Sequence, residues 1–183
     1  VTDNASQEAY WVGDTTFTHS GSDITATASD DYIRGPQMAG DFSFQCNVVD
    51  QGNMKFGVVS IADNDITYMD YAGKETWYFE GGGNIGARYA GTTYQACSAT
   101  HFDGTELRIT RVGSTITMYR DDVSFHEFSQ TYAGPVALRI ETTGGTPQFE
   151  ITDVKWTGIS GNHFTSSGLT SADQMPDSPT NDA

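Results

Sequence analysis

The chain has 183 residues, 9 of them basic against 24 acidic, for a formal net charge of −15, and 37% of it is hydrophobic. That length fits one domain with a sizeable core. The deficit of Lys and Arg argues against nucleic-acid binding and against docking on an anionic membrane, both of which need clustered positive charge. No stretch approaches the roughly 20 apolar residues that cross a bilayer.

Short runs rich in Thr, Val, Ile and aromatics alternate with period two, and Gly, Asp and Asn separate them; no sustained 3.6-residue period appears. The pattern predicts an all-β chain. In order, strands are expected at 15–19, 23–28, 31–34 and 41–50. In the last of these, Phe42, Phe44, Cys46 and Val48 face one way and Ser43, Gln45 and Asn47 the other. Gln51-Gly52-Asn53 reads as a turn that pairs this run with MKFGVVSIAD as a hairpin. Further strands are expected at 66–69, 74–80 and 84–89, then a three-stranded meander over 104–112, 114–121 and 123–129. After Gly134-Pro135 comes VALRIET, in which Val136, Leu138 and Ile140 alternate with Ala137, Arg139 and Glu141. A final strand is expected over 148–156. Phe149 and Ile151 share one phase there and Val154 and Trp156 the other, which requires a bulge near Thr152-Asp153. Residues 159–183 turn polar and read as a flexible tail or linker, or else as a strap anchored by Phe164 and Leu169.

So many short strands need two packed sheets, because a single large sheet would leave an apolar face in water. The expected fold is a two-sheet antiparallel β-sandwich, a jelly roll, over residues 10–158. Three stretches, GPQMAGDFSFQCNVVDQGNMKFGVVSIAD, DGTELRITRVGSTITMYRDD and GPVALRIETTGGTPQFEITDVKWTG, give it a resemblance to the concanavalin A-like or laminin G-like jelly rolls. That superfamily includes lectins, carbohydrate-binding modules, adhesion domains, β-glucanases and polysaccharide lyases, so the resemblance implies a fold and leaves function open.

Sugar binding needs aromatic faces for the C–H side of the ring and planar polar groups for the hydroxyls. The densest supply lies mid-chain, where Tyr71, Trp77, Tyr78, Asn84, Arg88 and Tyr89 are the candidate ligand-binding residues. Along KETWYFEG, Trp77 and Phe79 share one strand face and Tyr78 and Glu80 the other. The expected arrangement puts Trp77 and Phe79 in the core and Tyr78, Glu80, Asn84 and Arg88 toward solvent, with Trp77 as a sugar platform the competing assignment. In so acidic a chain the default role of Arg88 is an ion pair. Arg108, Arg111, Arg120 and Arg139 are expected in cross-strand pairs with Glu106, Asp121, Glu127 or Glu141.

No Glu-x-Asp-x-x-Glu run of the superfamily's hydrolases is present. Thr105-Glu106-Leu107-Arg108 resembles the lyases' Arg-x-Glu-Leu-Arg strand without its first Arg, and the phrases that supply the lyases' neutraliser and catalytic Tyr are absent. The histidines form no cluster. Asp63, Asn64, Asp65 and Asp70 are candidate ligands for one Ca²⁺, against a solvated acidic turn as the plain alternative; Asp30-Asp31 and Asp121-Asp122 are weaker candidates. Cys46 and Cys97 allow one disulfide, closing a loop of about 50 residues and adding roughly 2–4 kcal/mol; two buried thiols are the alternative. The resulting expectation is a non-catalytic domain, extracellular or surface-displayed, that binds a glycan or glycosylated partner. A self-associating capsid, fibre or adhesin block and a small polysaccharide hydrolase or lyase are the alternatives.

Overall fold

The computed structural model describes residues 2–4, 12–13, 17–20, 23–26, 32–63, 68–81, 86–96, 102–142 and 149–159. The tail from residue 160, and Asn64, Asp65, Asn84 and Cys97, lie outside the described residues. The described elements are β1 (Thr2–Asn4), β2 (Val12–Gly13), β3 (Phe17–Ser20), β4 (Asp23–Ala26), β5 (Tyr32–Asp50), β6 (Met54–Ser60) and β7 (Thr76–Glu80). They continue with β8 (Gly86–Tyr89), β9 (Thr92–Ala96), β10 (Glu106–Val112), β11 (Thr115–Arg120), β12 (Val123–Glu127), β13 (Val136–Thr142) and β14 (Phe149–Ile159). All their pairings are antiparallel. The fold is the expected all-β, two-sheet antiparallel jelly roll.

β5 belongs to both sheets. Its second half pairs with β10 and β14, building a back sheet that extends through β11 and β12 on one side and β4, β3 and β1 on the other. Its first half pairs with β13 and β2, and β13 leads on through β6, β7, β8 and β9 as the front sheet. The runs expected as separate strands at 31–34 and 41–50 are therefore one 19-residue strand. The register with β13 slips between Gln37 and Arg34, at Gly35-Pro36 facing Leu138, where the proline has no N–H to give to the ladder. The predicted hairpin between 41–50 and β6 does not form, because β13 from far along the chain lies between β5 and β6. The predicted strand at 66–69 is also absent as far as it is described: Tyr68 is irregular and Met69-Asp70 turns.

The core fills the space between the sheets. Phe44 of the back sheet stacks on Phe56 of the front sheet, centroids 4.1 Å apart, a pairing that adds about 0.5–1.5 kcal/mol beyond its buried area. The meander at β10–β12 forms as predicted, and both residues of the Asp121-Asp122 turn take positive φ, 51° and 62°. That geometry suits the tight hairpin turn and favours Asp over most residues. In β14 the register shifts between Thr152 and Lys155, and Asp153 has φ +57°. The bulge lets Phe149, Ile151, Val154 and Trp156 all reach the core, as their split phases required.

Arg111 and Cys46 depart from their expected roles, the first a cross-strand pair and the second a disulfide. Arg111 is fully buried at the end of the core, where Nε donates to the Gly40 carbonyl at 2.7 Å, Nη1 donates to the Gly134 carbonyl and the guanidinium lies 5.0 Å from the Phe42 ring. It therefore ties a loop and a strand bend together rather than pairing across the sheet surface. Cys46 is a free thiol in place of the expected disulfide. Its strand phase points it into the core, opposite Leu107 on β10, and burial followed by the Glu106 charge pushes the thiol well above its ordinary pKa. Iodoacetamide is expected to spare Cys46 in the native protein and alkylate it after unfolding. A Cys46–Cys97 peptide in a non-reducing digest would overturn that assignment.

Candidate functional site

The outer face of the front sheet is where the charged strand positions converge. Register places Tyr32, Glu141, Lys55 and Glu80 side by side across β5, β13, β6 and β7. Two residues along, Arg34, Arg139, Gly57, Tyr78 and Arg88 form a second row on the same face. An off-phase polar position normally faces water, yet Lys55, Arg139 and Glu141 are at most 1% exposed. The reason is the β6–β7 connection, which folds back over them. The Met69 N–H donates to both Glu141 carboxylate oxygens, at 3.0 and 3.3 Å, and the Thr76 hydroxyl holds the Met69 carbonyl at 2.7 Å.

Beneath that cover the charges are interlocked. Lys55 Nζ lies 3.0 Å from Glu141 and 3.2 Å from Asp70, and Arg139 Nε lies 3.2 Å from the other Glu141 oxygen. Tyr32 covers the Arg139 guanidinium at 4.0 Å, and the Tyr78 and Tyr68 rings lie 5.7 and 5.9 Å from Lys55 Nζ. Burial pushes the Glu141 carboxyl up, against the opposing pull of Lys55 and Arg139. Asp70, 47% exposed, is the point where this network meets solvent. One strand over, Glu80 pairs with Arg88, whose Nη1 also donates to the Gly91 carbonyl at 2.9 Å. Burial raises the Glu80 carboxyl despite Arg88.

Glycine makes this packing possible at two places. A side chain at Gly57 would meet the Trp77 carbonyl oxygen at 2.3 Å and Tyr78 Cβ at 2.5 Å, so β6 and β7 lie flush only because there is none. Gly91, at φ +78°, completes the β8–β9 turn with its Cα against the Asp70 carbonyl, and a Cβ there would stand 2.3 Å from that oxygen. That contact brings the 68–71 segment and the β8–β9 turn to one end of the face.

The predicted ligand-binding residues divide between the two faces of the sheet. Tyr71, Tyr78 and Arg88 belong to the outer face. Tyr71 is 47% exposed, with its ring 6.3 Å from Tyr68, but Tyr78 is fully buried rather than solvent-facing, and burial raises its hydroxyl pKa. Trp77 faces inward with Phe79 and is fully buried, so it has no free face to serve as a sugar platform. Tyr89 pairs with it on the inner side, rings 5.3 Å apart, and its hydroxyl donates to Glu75 at 3.1 Å; burial and that acceptor push its pKa up to about 12. Sequence reasoning missed Lys55, and it expected Glu141 only as a surface partner for an arginine such as Arg139, not as the buried centre of a network. The available signal was a Lys and a Glu occupying the off phase of otherwise apolar strands.

The calcium candidates are already engaged. Asp63 accepts from Lys74 Nζ and the Glu75 N–H, each at 3.0 Å; burial raises its carboxyl, and these two partners outweigh it to leave the pKa below its ordinary value. Asp70 is held by Lys55. Among the described residues no group of three or more His, Cys, Asp or Glu could hold a metal ion; the other two candidates, Asn64 and Asp65, lie outside them. Asp121 accepts from the Glu106 N–H and Asp122 pairs with Arg108.

No family model matches the chain, and no curated protein is similar to it in sequence. Solved structures do share its architecture. A putative glycosyl hydrolase from Parabacteroides distasonis ATCC 8503 superposes with a TM-score of 0.60 at 9% identity, covering 87% of this chain and 100% of that one. The SPRY domain of human HERC1 gives 0.58 at 13% identity, with 77% and 96% covered. The carbohydrate-binding module CBM66 from Bacillus subtilis gives 0.56 at 10% identity, with 81% and 96% covered. The likeness is one of fold. This is the jelly-roll-like sandwich common to lectin, carbohydrate-binding, lyase and SPRY domains, and no single family is marked out. No helix among the described residues is long and apolar enough to cross a membrane.

Proposed function

We propose that this chain is a non-catalytic glycan-recognition domain, secreted or surface-displayed, that reads sugar with the outer face of its front sheet. The observation that carries the reading is the meeting, at one end of that face, of an exposed Tyr71 ring with the solvent-reaching Asp70 of the Lys55–Glu141–Arg139 network. An aromatic plate beside charge whose geometry is locked by packing is what sugar C–H and O–H groups need. Carbohydrate recognition by other domains of this fold, including the Emp47p carbohydrate recognition domain and CBM66, supports the same reading.

The non-catalytic part rests on the carboxylates. Glu80 and Glu141 flank Lys55 on one face, but Arg88 holds the first and Lys55 with Arg139 the second. Glu141 is buried beneath the β6–β7 connection and Glu80 is tied to Arg88, so neither is presented to a glycosidic oxygen. A calcium ion would have to displace lysines from Asp63 and Asp70. On a glycan array, wild type is expected to bind at least one glycan class with or without EDTA, and Tyr71→Ala to weaken that binding about tenfold, ~1.4 kcal/mol. Absence of binding to any glycan would overturn the proposal, and loss of binding in EDTA would overturn its metal-free form.

A further inference from the structure

The charge on the outer face of the front sheet runs against that of the whole molecule. The chain carries −15, yet four of its nine basic residues, Arg34, Lys55, Arg88 and Arg139, stand on this face. The carboxylates there, among the described residues, are Asp70, Glu80 and Glu141, and each is already held by a cation. Arg34 is the cation left over. Its Nη2 donates to the Tyr32 hydroxyl at 2.8 Å, and its Nε is buried with no acceptor. No carboxylate among the described residues lies within ion-pair distance of it.

The position of Arg34 makes that lack costly. It sits directly across the strand pair from Arg139, and like charges directly opposite each other destabilise a sheet. Among the described residues the carboxylate beside Arg139 is that of Glu141, which Lys55 shares. Both guanidiniums lie over the Tyr32 ring, Arg34 at 5.0 Å and Arg139 at 4.0 Å from its centroid, and the ring screens neither with a full negative charge. An incoming anion at this corner would meet the exposed part of the half-buried Arg34 guanidinium and offset the Arg34–Arg139 repulsion in one contact. A half-buried guanidinium fork is suited to planar, two-point recognition of an oxyanion.

We infer that the glycan recognised by this domain is acidic and that its anionic group, the carboxylate of a hexuronate or a sulfate ester, docks on Arg34 beside Tyr32. The inference rests on the glycan-recognition reading and names the ligand class within it. With the whole chain at −15, indiscriminate attraction to polyanions is excluded, so retention by one requires a local site.

Affinity electrophoresis of the full chain through gels containing polygalacturonate, dextran sulfate or neutral dextran tests this. Wild type is expected to be retarded by polygalacturonate, by dextran sulfate or by both, but not by dextran, and the retarding polymer identifies the anion. Arg34→Gln is expected to weaken that retardation about tenfold, Arg34→Lys to weaken it less, and Arg108→Gln, on the outer face of the back sheet, to leave it unchanged. Thermal melts of the three variants establish that each is folded. Retardation by neither acidic polymer, equal retardation by dextran, or an Arg34→Gln protein that behaves as wild type would overturn the inference. If the glycan array shows binding to neutral glycans alone, the acidic-ligand inference fails and the recognition reading stands; binding to no glycan at all removes both.

Discussion

Replacing Glu141 with alanine is expected to destabilise the protein by about 3–5 kcal/mol, measured by urea or guanidinium denaturation, because it leaves Lys55 Nζ, Arg139 Nε and the Met69 N–H buried without their shared acceptor. Asp70 would be the remaining carboxylate for Lys55 and lies partly in solvent, so it cannot replace a fully enclosed one. The loss also frees the Met69 N–H, which pins the β6–β7 connection over the sheet. The pH dependence has a definite sign. Glu141 holds its proton to higher pH in the folded chain than in the unfolded one, so its titration adds stability that is fully present below the ordinary carboxylate pKa and is lost as pH rises through the raised value. The gap between wild type and Glu141→Ala is therefore expected to be widest in mild acid and to narrow toward neutrality. A gap that widens with rising pH would mean that the pull of the two cations outweighs burial. Removing the three charges together, as Lys55→Met, Arg139→Met and Glu141→Leu, is expected to cost far less than removing Glu141 alone, since a buried triad of this kind is often neutral against well-packed apolar replacements.

Trp77→Ala carries the second large effect, about 3–5 kcal/mol, and it is expected in stability rather than in ligand binding. The indole is fully buried, stacked between Tyr89 and Tyr132 with both centroids 5.3 Å away, and it joins the front sheet to the loop after β12. Truncation would open a cavity at the edge of the core. Trp77→Phe is the informative companion. The indole N–H has no hydrogen-bond partner among the described residues, so removing it releases a desolvation cost of about 1–3 kcal/mol that offsets part of the lost packing. A folded Trp77→Ala protein with near-native stability that no longer binds glycans would place Trp77 back in the binding surface.

The elements legible in the sequence are those fixed by alternation within a single strand. The inward set Phe42, Phe44, Cys46 and Val48, the meander, and the bulge at Thr152-Asp153 all follow from local phase, and the structure keeps them. Two kinds of feature were not legible. Partner choice is one: Gln51-Gly52-Asn53 does turn the chain, but whether the flanking strands pair depends on β13, about 80 residues away in sequence, and no local signal places it between them. The second is burial of the outer face. Lys55, Arg139 and Glu141 stand in the phase that water usually claims, and they are enclosed because a connection returns across the sheet, which is a tertiary fact. For the site, residue types were readable and faces partly so. The Trp77/Tyr78 alternation was correctly split, but Tyr78 went under cover with its charged neighbours. Arg34 never stood out, because its significance lies in what is missing opposite it.

The sharing of β5 between the two sheets also bears on how the molecule can come apart. Its second half is bonded on both sides to back-sheet strands and its first half on both sides to front-sheet strands. Neither layer possesses a complete set of central strands without it. Pulling one sheet open tugs directly on the backbone of the other, so the layers melt as one unit instead of sliding or peeling separately. Arg111 reinforces the hinge of that shared strand by holding the Gly40 carbonyl from inside the core. A ligand that tightens the front sheet around Arg34 and Tyr32 would grip the same strand, and its binding would be felt as stiffness on the far side of the sandwich.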